Sequence, residues 1–110
     1  MTLLSKDAFF LKAHEVKTRD VEVPGYGTMR VRKWNIAIRN EYLSRIQKEQ
    51  PLQVAAWLVS SLVVDANGDP FFRPEEVSEL EKCDPEAVDV LVKAIYELNK
   101  DKEIEAAVKN

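Results

Sequence analysis

His14, Cys83 and several carboxylates are the residues of this chain whose chemistry could reach beyond packing. His14 is the only histidine, so any triad would have to use it as base. No Gly-x-Ser-x-Gly elbow and no Cys-near-His arrangement supplies a nucleophile for it. Glu75, Glu76, Glu79 and Glu81 stand at helix-surface spacing, without the apolar enclosure that raises a carboxyl pKa for acid work. A lone Cys83 excludes an intrachain disulfide and a thiolate metal cage, and reads as a buried or merely tolerated thiol. These residues predict a protein that is not an enzyme and carries no cofactor.

Two binding chemistries come closer. Asp65, Asn67 and Asp69 occupy the first, third and fifth places of an EF-hand-like loop, with Glu76 on the twelfth. The sixth place needs Gly for a sharp turn, and Pro70 stands there with φ fixed near −65°, so no metal is expected. Arg30, Arg32, Lys33, Arg39, Arg45 and Lys48 gather around Trp34 and Tyr42, the pattern of a basic patch with stacking aromatics. The overall balance opposes phosphate binding: net charge is −3 and the pI about 5.2. No nucleic-acid partner is expected.

The charge is divided along the chain. Residues 1–48 hold ten Lys/Arg against five Asp/Glu, and residues 65–105 hold five against thirteen. Such a split predicts either complementarity within one molecule or a head-to-tail contact between copies.

The elements that position these residues can be read from periodicity. Ser5 caps a short helix containing Phe9, Phe10 and Leu11, which should dock it onto the body, since two turns do not persist alone. Val21-Glu22-Val23 and Met29-Arg30-Val31-Arg32 alternate with period 2 around Pro24-Gly25, a type II turn pair, and predict a β-hairpin at about 20–33. Val21, Val23, Met29 and Val31 take its packed face; Glu22, Arg30 and Arg32 take the wet one. Helices are expected at about 36–48, capped by Asn35; at 51–64, opened by Pro51 and apolar on nearly every side; at 74–81; and at 85–99, with Val88, Leu91, Val92, Ile95 and Leu98 in one stripe. Asp65–Pro70 is a turn, after which Phe71-Phe72 should anchor the chain back onto the core. Ile104, Ala107 and Val108 suggest a frayed terminal helix.

The chain therefore predicts an α+β fold: an N-terminal short helix and β-hairpin, then a bundle of about four to five helices. Its 110 residues fit a single domain (1–110), and 45% hydrophobic with 32% charged residues is an ordinary globular balance. The longest apolar run falls short of the roughly 18 residues that span a bilayer, so no membrane partner is expected. Met1–Asp7 lacks the basic and apolar regions of an export signal, which points to the cytoplasm.

The order of these elements, with Val-x-Val-Pro-x-x-Gly at residues 21–27 and Asp-x-x-Gly-x-x-x-Phe at residues 65–72, resembles the tail assembly chaperone family of long-tailed (siphovirus-type) bacteriophages. The likeness spans nearly the whole chain; relatives often place Ser or Thr before the acidic helix start where this chain has Arg73, a weaker cap. The resemblance implies a late assembly factor of the host bacterial cytoplasm. Such a factor binds the largely helical tape measure protein, keeps it soluble, helps tail tube protein polymerise around it, and is absent from the mature virion. Many relatives also exist in a longer, frameshifted form. Under that resemblance the wet face becomes a candidate surface, with Arg30, Arg32 and Trp34 in self-association or client binding. The alternative is another phage or bacterial protein-binding module, or a minor structural tail protein.

Overall fold

Side-chain caps fix where the helices begin. In the computed structural model, which describes residues 2–100, Ser5 Oγ accepts from Ala8 N at 3.1 Å, Asn35 Oδ1 from Ile38 N at 2.9 Å and Asp84 Oδ1 from Glu86 N at 3.0 Å. Each such cap stabilises its helix by about 1 kcal/mol. They open α1 (Lys6–Ala13), α2 (Ile36–Lys48) and α5 (Pro85–Leu98). The helix α3 (Pro51–Leu62) starts on a proline, and Gln50 N donates to Gln53 Oε1 at 3.1 Å.

The hairpin forms as its alternation dictates. β1 (Thr18–Val23) pairs antiparallel with β2 (Gly27–Arg32), from Thr18 opposite Arg32 to Val23 opposite Gly27. Tyr26 N donates to Val23 O at 2.9 Å, and Gly25 takes φ +84°, the left-handed position a type II turn requires. Val23 and Val31 are fully buried, with Val21 and Met29 packed beside them.

One boundary differs from expectation. The apolar run read as helix to residue 64 leaves the helix after Leu62, and β3 (Val63–Val64) joins the sheet beside β2, in the order β1-β2-β3. Val63 and Val64 are β-branched and stiff in a helix, and β2 offers an edge whose backbone groups need partners. The chain then reverses through Asp65–Asp69. Asp65 Oδ1 accepts from Asn67 N at 2.8 Å and Asp69 N at 3.0 Å, and Gly68 takes φ +86°. The Asp65 carboxylate thus serves the turn itself. Phe71 N donates to Val63 O at 3.0 Å, Phe72 packs against the core, and Phe71 remains 54% exposed, so only one of the two rings acts as an anchor.

The expected helix at 74–81 divides into a 3₁₀ turn, Pro74–Glu76, and the single turn α4, Val77–Leu80. Leu80 is its one buried side chain, too few to hold a longer helix. Glu76 Oε1 accepts from Arg73 N at 2.8 Å, the half of a capping box that needs no acceptor on the Arg73 side chain.

Around α3 the layers follow from its composition. Leu58, Val59 and Leu62 have no exposed surface, so α2, α4 and α5 pack against α3, while α5 also covers β1 and β2. At the far end of α5, the buried Asn99 donates from Nδ2 to Ile95 O at 3.0 Å and accepts from Trp34 N at 2.8 Å. This one side chain closes the helix and ties it to the link between hairpin and α2. The terminal helix suggested by Ile104, Ala107 and Val108 lies outside the described residues.

Leu58→Ala should lower the unfolding free energy by about 3 kcal/mol, read from the urea midpoint with an unchanged slope.

Candidate protein-binding surface

Strand alternation sends Arg30 and Arg32 to the face of β2 opposite the core, and the cross-strand neighbour of Arg30 is Asp20. Arg30 Nε donates to Asp20 Oδ1 at 2.7 Å and Nη2 to Oδ2 at 3.4 Å, a fork on both carboxylate oxygens. The hydrogen bond from Arg30 holds the Asp20 carboxyl below its usual range; the guanidinium charge adds to this, and burial opposes it. Beside them Thr28 Oγ1 donates to Glu22 Oε2 at 2.8 Å. Arg32 Nε donates to the adjacent Lys33 carbonyl, at 3.1 Å.

Trp34 lines a cleft together with Arg32, Lys12, His14 and Asn35. It is half-buried, its ring stacks on Tyr42 at 5.4 Å, and its backbone N–H is the one held by Asn99. Tyr42 is buried and donates to the Tyr96 hydroxyl at 2.8 Å; burial first, then Tyr96, push its phenol far above the ordinary range, so it stays neutral. The structure thus puts Arg30 and Arg32 on one sheet face but in separate clefts, Arg32 sharing its cleft with Trp34, whose ring also packs on Tyr42.

The basic patch is divided in the same way. Arg45 is held by Glu41 and Glu49, both at 2.9 Å, and its guanidinium lies 4.7 Å from the centroid of the Trp57 ring. Arg19–Glu97, at 3.6 Å, is an ion pair between the two charge halves, while Arg30–Asp20, Arg45–Glu41 and Lys82–Glu79 stay within one half.

Exposed apolar groups accompany these charges. A cleft on the outer sheet face is bordered by Tyr26, Arg30, Val64 and Phe71; Tyr26 is 61% exposed, and Val64 is buried. Sequence reasoning missed Phe71 here, although an adjacent Phe pair in extended chain sends its rings to opposite sides. The larger departure is α1, which buries no side chain, so the expected docking of Phe9, Phe10 and Leu11 does not occur among the described residues. The signal was present: three consecutive apolar residues spread over about 200° of a helix and form no single stripe. His14 ends that helix with its ring stacked on Phe10 at 5.5 Å. The Cys83 thiol is exposed and donates to Glu79 O at 3.4 Å. Among the described residues no helix is long and apolar enough to cross a membrane.

No family model matches the sequence, and no curated protein matches it. Among solved structures, the tail assembly chaperone of bacteriophage HK97 aligns with a TM-score of 0.61, covering 86% of this chain and 100% of that one at 17% identity. The chain has the fold of that phage tail assembly chaperone. At this identity the likeness lies in the arrangement of the elements, in agreement with the α+β hairpin-and-bundle architecture expected from the sequence.

Asn at position 20 isolates the Arg30 contact. Because the folded-state pKa of Asp20 is depressed, its contribution is complete above the ordinary value of 3.8 and disappears as pH falls through the lowered one. Thermal melts of wild type and Asp20→Asn should therefore differ slightly at neutral pH and converge in acid, and also in 1 M salt, where an exposed pair is screened.

Proposed function

We propose that the chain is a phage tail assembly chaperone that acts in the host bacterial cytoplasm. In this reading it binds the tape measure protein, keeps it soluble while tail tube protein polymerises around it, associates with further copies, and leaves before the virion matures. The observation that carries the proposal is the likeness to the HK97 protein over the whole of that protein's length.

The surface suits a client-coating role. Its clefts are shallow, and its exposed apolar groups, Phe9, Phe10, Tyr26, Leu52 and Phe71, are dispersed over several elements. Many modest contacts of this kind can be made and released, whereas one deep pocket would hold a single ligand. No enzymatic activity is proposed, because His14 rests on Phe10 and Cys83 on a backbone carbonyl, with no partner arranged among the described residues to activate either.

Within this reading the sheet face with Arg30, beside Tyr26 and Phe71, and Arg32, beside Trp34, presents the client-facing or copy-facing surface, and Trp34 also holds the β2–α2 link. Co-expression with the tape measure protein of the same tail gene cluster should shift that protein from pellet to supernatant and yield a co-purifying complex. A client that stays insoluble would remove the proposal, and stoichiometric recovery of the chain from purified virions would indicate a minor structural tail protein instead. Charge reversal at Arg30 and Arg32 together should alter either client recovery or oligomer mass in light scattering; no change in either would take these two residues out of the surface.

A further inference from the structure

One end of the hairpin gathers charge that the described residues do not neutralise. Lys33 N donates to Lys17 O at 2.8 Å, which extends the β1–β2 ladder one pair beyond Thr18 and Arg32 and sets two lysines directly opposite each other. Like charges in that position destabilise a sheet. Lys12, in the last turn of α1, and Arg32 join them around one cleft of about 390 Å³. Glu15 is the single carboxylate of its lining, to which His14 also belongs. Glu15 forms no ion pair with any of the four cations, and none of the four is ion-paired elsewhere among the described residues.

The same cleft holds the start of α2. Asn35, its cap, lines the cleft and spends its Oδ1 on Ile38 N, while the first turn of α2 carries no acidic residue. The N–H groups of Ile36 and Ala37 have no acceptor among the described residues. The positive end of the helix dipole therefore adds to the field of the cations. Trp34 supplies the one aromatic ring that borders the cleft besides His14, half-buried and stacked on Tyr42. Two cations of the wider basic patch are already used, Arg30 by Asp20 and Arg45 by Glu41 and Glu49. They leave a short basic site, not a track along which a phosphate backbone could run, on a molecule of net charge −3. A short peptide with carboxylates for the cations and an apolar side chain for Trp34 has the complementary chemistry.

We propose that this cleft, between the end of α1 and the β2–α2 link, binds an acidic segment of the client protein. Carboxylates of that segment meet Lys12, Lys17, Arg32 and Lys33, and an apolar residue packs on Trp34. Bound there, the segment relieves the repulsion between the two opposed lysines. Each exposed pair is weak by itself, so several act together, which suits a contact that forms and is released during assembly. The inference rests on the proposed function for the identity of the partner, and adds to it the partner's chemistry and the place it occupies. Binding is measured on the purified chain with a peptide and no client, so its failure and the failure of the chaperone reading are told apart.

The probe is a dye-labelled peptide of sequence Glu-Glu-Leu-Glu-Glu-Leu-Glu-Glu, titrated with the wild-type chain in low salt and followed by fluorescence anisotropy. It should bind saturably, and the same peptide with Gln in place of Glu should not. Lys17→Glu/Lys33→Glu should weaken binding by about tenfold, the effect of two exposed ion pairs. Both side chains are exposed and the bond between these residues is made by backbone, so circular dichroism should show an unchanged fold. Lys82→Glu/Lys93→Glu alters net charge equally at two positions that do not line the cleft, and should bind as wild type does. In a Trp57→Phe chain Trp34 is the sole tryptophan, and its emission should shift on addition of the peptide. In co-expression, Lys17→Glu/Lys33→Glu should lower client recovery. A wild type that does not bind the peptide would overturn the proposal. So would a Lys17→Glu/Lys33→Glu chain that keeps full affinity or full client recovery, or a control reversal that weakens binding equally. Tighter binding of a labelled oligothymidine than of the peptide would make the cleft a nucleic-acid site instead. A tenfold gain in affinity in Asp101→Asn/Glu103→Gln/Glu105→Gln would assign the cleft to the chain's own carboxylates. A fall in the light-scattering mass of the purified chain on reversal of Lys17 and Lys33 would assign it to a second copy, and each of these three results overturns the proposal. A client that wild type fails to solubilise, with peptide binding intact, would count against the proposed function alone.

Discussion

The structure depends on α3. A helix with Val54, Ala56, Leu58, Val59 and Leu62 all buried has almost no side it can turn to water. Each fully buried aliphatic side chain stabilises the fold by roughly 1.5–3 kcal/mol only if something covers it. Covering a helix on all sides requires neighbours from different parts of the chain, and α2, α4 and α5 are those neighbours. The sheet enters through the same demand, because α3 runs directly into β3 and so brings β2 alongside.

This arrangement decides what remains outside. Once α5 has covered the packed face of the hairpin, the opposite face with Asp20, Arg30 and Arg32 must be polar, and it largely is. Among the described residues it also commits the covering elements: α2, α4 and α5 pack on α3 or on the sheet, and α1 is left with its apolar side chains exposed. The exposed apolar side chains of α1 are therefore a result of how the core is completed and not a local accident of sequence.

Much of this was legible before the structure. Ser5, Asn35, Pro51 and Asp84 mark helix starts through local chemistry, and Pro24-Gly25 marks the turn through backbone geometry, so these needed no tertiary knowledge. Val63 and Val64 could not be placed that way, since an apolar β-branched pair fits the end of a buried helix and a short buried strand equally well until β2 is known to lie beside it. The candidate surface was legible in part. Alternation put Arg30 and Arg32 on the outer face, yet the fork on Asp20 and the packing of Trp34 on Tyr42 depend on register and on an element distant in sequence. The N-terminal helix was legible as a helix, and only its surroundings were not.

The bond from Trp34 N to Asn99 joins positions 65 residues apart. During synthesis the hairpin is complete long before α5 exists, and contacts of such sequence separation form late. Until Asn99 has left the ribosome, Val23 and Val31 have no α5 to lie beneath. The nascent chain thus spends most of its synthesis with an open sheet face, at which stage a neighbouring nascent chain could occupy the place meant for α5. Chains translated side by side on one message are most exposed to that error.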